Sequence, residues 1–157
     1  MYNPGHFGST LMQLTSPDTG GTHVLKNAHL AIGGLTFVAF CWSGLYLRYT
    51  AESVYLGDHV SRMMFVANHI YILMAALANI AVGRYVTPLK NPIGKTLQTL
   101  GLGLMMAGSI VLVYAFTIEP MLGSMERPRS YFGVIALAAG VLAHGLSGFE
   151  IRTKSGS

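Results

Sequence analysis

Four stretches of this sequence, Ala28–Leu47, Arg62–Gly83, Thr96–Ile118 and Tyr131–Phe149, stay apolar for close to the ~20 residues that a helix needs to cross a ~30 Å hydrocarbon core. Polar loops separate them. Only 10% of the residues are charged against 52% hydrophobic, whereas a soluble domain carries about 25% charged residues, so a water-facing surface cannot be built from this inventory. The expectation is an all-α integral membrane protein of four transmembrane helices in an up-down-up-down bundle, embedded in a lipid bilayer, with helix one beside helix four. Residues 1–27 read as a polar tail and 150–157 as a C-terminal tail. Turn signals at Pro4-Gly5, Ser16-Pro17 and Gly20-Gly21 suit an extended segment on the membrane surface, with Tyr2 and Phe7 as anchors.

The basic residues flank the apolar runs, so the net charge of +4 is a topology signal and does not call for a nucleic acid partner. Lys26, Arg84, Lys90, Lys95, Arg152 and Lys154 fall on the side shared by both termini, and Arg48, Arg62, Arg127 and Arg129 on the other. This bias places both termini in the cytoplasm of a bacterial-type inner membrane. The acidic residues Glu52, Asp58, Glu119 and Glu126 fall on the far side, with Glu119-Pro120 ending the third span. The first 21 residues have neither a basic region nor an apolar run, so the first span is expected to act as an uncleaved insertion signal.

Candidate chemistry concentrates on histidine. His144 is the only ionisable residue in the fourth span, and Gly133, Gly140, Ser147 and Gly148 fall close to its direction around the helix. His29 opens the first span with Gly33 on its face. In antiparallel neighbouring helices the two histidines lie near the same membrane surface, each paired with a glycine four residues away. A haem iron held by two axial imidazoles needs a histidine on either side of the ring and neighbours without side chains. His29, His144, Gly33 and Gly140 offer that set. The second span is the most polar: Asn68, Tyr71 and Asn79 share a face with His69 to one side, and that face is expected to point into the bundle. His69 is the candidate for a quinone contact, and His59 in the preceding loop could reach it.

This placement resembles that of four-helix membrane b-type cytochromes, which clamp haem between histidines of different helices. The resemblance covers helix count and the His/Gly placement in two spans, and it implies haem b and electron transfer. It departs in His69, which has no spanning histidine at its depth. A plainer reading stands beside it: small residues let helices approach closely in membranes, and a buried imidazole can simply bond the next helix. Under that reading the chain is a non-catalytic accessory subunit of a membrane complex, or a homo-oligomer. Copper binding is disfavoured because Met63-Met64 and Met105-Met106 are adjacent and diverge by about 100° on a helix. Hydrolytic chemistry lacks material, with no HExxH, no GxSxG and no acidic residue assigned to a span.

Overall fold

The computed structural model describes residues 19–54, 58–87, 89, 91–122 and 126–154. It contains α1 (Thr19–Val54), α2 (His59–Tyr85), α3 (Pro92–Ile118), a 3-10 turn (Glu119–Leu122) and α4 (Pro128–Lys154). All four α-helices are long and apolar enough to cross a membrane, and no strand occurs among the described residues. Most of the tail expected at residues 1–27 lies outside the described residues, as do 155–157. From Thr19 onward the chain is already helical, so α1 begins earlier than its apolar run and, ending at Val54, outlasts it. Its 36 residues span about 54 Å, well beyond ~30 Å of hydrocarbon. Polarity marks where a span leaves the lipid and sets no limit on the helix.

Local signals close the other elements. Asp58 caps α2, its carboxylate accepting from the Val60 N–H at 3.1 Å and from the Ser61 hydroxyl. Pro92 and Pro128 open α3 and α4, where a missing N–H costs no helical bond.

Glycine seams decide the packing. In α1 against α2, a Cβ on Gly33 would lie 2.7 Å from Ile80 Cγ1 and 2.9 Å from its backbone nitrogen, and one on Gly83 would lie 3.0 Å from Leu30 N. In α3 against α4, a Cβ on Gly108 would lie 2.8 Å from the Gly133 oxygen, and one on Gly140 would lie 2.8 Å from the Gly101 oxygen. Each hairpin is thus closed backbone to backbone, as small residues permit in membranes. The hairpins join through Phe65, Ile72 and Ala75 of α2, Met105, Leu112 and Phe116 of α3, and Leu137 of α4. Helix α1 also touches α3, and α4 also touches α2, but α1 and α4 share no packed seam. The expected side-by-side packing of helix one on helix four is therefore not found. With α2 and α3 in contact between them, α1 and α4 meet only where long side chains cross the gap.

Candidate functional site

That crossing is made by His29 and His144. His29 is fully buried, and its Cβ lies 3.0 Å from where a Gly83 Cβ would sit. A Cβ on Gly101 would come within 2.9 Å of His144 Nε2. Gly83 of α2 and Gly101 of α3 thus leave the room in which the rings meet. The Nε2 atoms are 3.1 Å apart, and the ring centroids are 4.8 Å apart at an interplanar angle of 71°.

The neighbours determine which nitrogens carry protons. Asn79 Nδ2 donates to the Ala75 carbonyl at 2.9 Å and contacts Ser109 Oγ at 3.0 Å, while the Ser109 hydroxyl donates to the Met105 carbonyl. The amide is therefore oriented with Oδ1 towards His29 Nδ1, 3.1 Å away. An amide oxygen only accepts, so His29 Nδ1 is the donor, and in the neutral ring its Nε2 accepts. His144 Nε2 then donates across the pair, leaving a lone pair on His144 Nδ1. That atom is buried and has no hydrogen-bond partner. Beside it runs a groove of about 420 Å³ between the ends of α2, α3 and α4, lined by His144, Val82, Val141 and Thr87 among others.

Gly33 and Gly140, expected to flank a cofactor, are filled: Ile80 and Ala76 occupy the first site, Met105 and Gly101 the second. The glycines that do face the imidazoles are Gly83 and Gly101. Their positions are set by the registers α1 on α2 and α3 on α4, which no single helix carries.

His69 stands apart. Its Nδ1 is 2.8 Å from Ser43 Oγ, its ring stacks on Phe40 at 4.2 Å between centroids, and a Cβ on Gly44 would lie 3.1 Å from its Cε1. Along α2 it is about 21 Å from Gly83 and so from His29. His59, expected as its partner, is exposed at the first residue of α2, about 15 Å up the same helix.

A second buried polar cluster was not foreseen. Glu119, at the end of the third span, is fully buried. Its Oε1 accepts from the Arg129 and Ser130 N–H groups at 2.7 and 3.0 Å, supplying partners to the free first turn of α4. The Ser130 hydroxyl bridges Glu119 Oε2 and Asn68 Oδ1. Asn68 also contacts Arg127 and donates to the Ala115 carbonyl at 3.2 Å, and Arg127 lies over the Tyr71 ring at 5.4 Å.

The donor set only half fits a bis-histidine haem. His29 has the outer anchor that a ligating imidazole usually has, an Nδ1–H on Asn79. His144 has none, and its network places the proton on the nitrogen that would have to bind iron. Two collinear metal–nitrogen bonds of about 2.0 Å would also need roughly 4 Å between nitrogens, beyond the 3.1 Å present. No group of three or more His, Cys, Asp or Glu suited to a metal ion occurs among the described residues. No protein-family model, curated protein or solved structure matches the chain.

Proposed function

We propose that this multi-pass membrane protein works through the His29–His144 pair, and that the pair is a buried hydrogen-bond acceptor opening on a surface groove instead of an axial pair for haem. One observation carries the reading. The network fixes both tautomers and ends in a single unsatisfied lone pair, His144 Nδ1. Leaving a buried acceptor unmade costs about 1–3 kcal/mol, so a lone pair retained beside a cavity is a position for a ligand to fill. The Lys and Arg bias supports placing both termini, and with them the His29–His144 end of the bundle, on the cytoplasmic side.

A haem b redox subunit is the second reading. It is favoured by two Nε2 atoms from different helices aimed at each other, each ring backed by a glycine. Loading would require the pair to open and the His144 proton to move to Nδ1. Such a group would supply one-electron transfer, with His29 and His144 as its holders and His69 free for a quinone.

A reduced-minus-oxidised spectrum of protein purified in mild detergent decides between them. We expect no α-band. A sharp α-band that disappears in His144→Ala overturns the acceptor reading and restores the cytochrome. If His144→Ala leaves every ligand response intact but abolishes a co-purifying partner or a discrete oligomer, the pair is a structural tie in an accessory subunit and the acceptor reading also fails.

A further inference from the structure

Two independent features meet at the groove between the ends of α2, α3 and α4. His144 lines it and is only 9% exposed, and its Nδ1, itself buried, has no hydrogen-bond partner. Of the other polar side chains in the lining, Tyr85 and Thr87 are exposed, and Gln98 and Ser147 are engaged elsewhere. Gln98 donates to the Thr87 carbonyl at 2.8 Å and accepts from the Leu89 N–H at 3.2 Å, and the Ser147 hydroxyl donates to the His144 carbonyl at 2.7 Å. The walls contributed by Ala81, Val82, Val86 and Val141 are aliphatic. The buried unpartnered Nδ1 therefore asks for a donor, and the aliphatic walls for an apolar body. A single water supplies the donor but occupies only about 30 Å³ of liquid volume, far less than the ~420 Å³ present. The apolar run of the fourth span gives way to Glu150 and Arg152, six and eight residues beyond His144, which puts the opening near the membrane surface, where an amphiphile places its polar end.

We infer that this groove binds a membrane-soluble molecule carrying a hydroxyl on an apolar body, its O–H donated to His144 Nδ1 and its body lying along Val82 and Val141. The inference rests on the tautomers derived above and adds the chemical class of the ligand. It excludes carboxylates, carbonyls and ethers as the group placed on His144, because each brings a second acceptor to a lone pair.

The test uses the full chain, labelled with ¹⁵N-histidine, in phosphatidylcholine nanodiscs, a lipid without an O–H or N–H donor of its own. The probes are 4-octylphenol, 1-decanol and, as a control without a donor, 4-octylanisole. Before any probe, His144 Nδ1 should resonate as an unprotonated nitrogen. Titration with 4-octylphenol should move that resonance saturably to lower frequency, and 4-octylanisole should leave it in place. Decanol acting like the phenol shows that the site reads the hydroxyl alone. A response to the phenol only shows that it also reads the ring, and either pattern supports the inference. Val141→Trp, which narrows the groove without touching the pair, should weaken the phenol response roughly tenfold or more while the His29 resonances stay put. An unsaturable shift, an equal shift from the anisole, or an undiminished response in Val141→Trp overturns the hydroxyl site and leaves the tautomer reading standing. A protonated His144 Nδ1 in the probe-free protein overturns the tautomer reading itself.

Discussion

Two asparagines of α2 lie about 16 Å apart along the helix, and each reaches across to α3. Around Asn68, both polar atoms of the amide are paired within the cluster, and the one buried atom there without a partner among the described residues is Arg127 Nε. The Asn68 oxygen takes Ser130 and Arg127, its nitrogen takes the Ala115 carbonyl, and Glu119 absorbs the free N–H groups of α4. Around Asn79, the chain of contacts runs from Ser109 through His29 to His144 and stops one bond short. The same residue type, on the same helix and equally buried, therefore serves two ends. One holds a helix terminus where the chain must turn inside the bundle. The other orients an imidazole pair whose last atom is left for something else.

Replacing Glu119 by Ala should cause the largest loss, since it orphans the buried Ser130 N–H at about 1–3 kcal/mol, takes the acceptor from the half-buried Arg129 N–H and strips a partner from the Ser130 hydroxyl. Denaturant unfolding of the purified protein should show it, with Glu119→Gln, which keeps one acceptor oxygen, losing clearly less. If Glu119→Ala is as stable as the parent, the Asn68 cluster is not a structural one and the contrast breaks.

Asn79→Ala should come next, at about 1–3 kcal/mol for the His29 N–H it leaves unpaired. It should also scramble the tautomers, which Glu119→Ala should not do. Histidine ¹⁵N spectra of the two variants therefore separate orientation from support.

The smallest effect should come from Asp58→Asn at the exposed cap of α2. The Ser61 hydroxyl, helped by the Val60 and Ser61 N–H groups and the nearby His59, holds the Asp58 carboxyl below the usual carboxylate range. A depressed folded value means that the cap stabilises above the ordinary carboxylate value and that this contribution fades as pH falls through the lower, folded one. The parent should lose stability on acidification relative to Asp58→Asn, and a constant difference between them across that range would remove the cap from the account.

Much of this was legible beforehand. Four apolar runs are local facts, and they yielded four helices because a backbone in hydrocarbon must satisfy its own bonds. The polar face of the second span was legible from Asn68, Tyr71 and Asn79, and the shared depth of His29 and His144 from their places in their spans. The burial of Glu119 was not legible, for a physical reason. A carboxylate at the end of a span carries no sign of what packs on it, and only the return of Arg129 and Ser130 across the turn makes it an interior acceptor. Gly33 and Gly140 show a related limit, since a glycine one turn from a histidine says that space exists but not what fills it.

What the sequence determined alone is the class of structure: length, periodicity and hydropathy act within one segment, so four spanning helices and their interior-facing polar residues needed no partner to be read. What only the tertiary structure decided is every pairing across helices. Ile80 against Gly33, Gly101 against His144 and Asn79 against His29 depend on the register of one helix on another, fixed by backbone contact between residues far apart in the chain. The direction of the His29–His144 hydrogen bond, and with it the open atom on which the proposed function turns, belongs to that register.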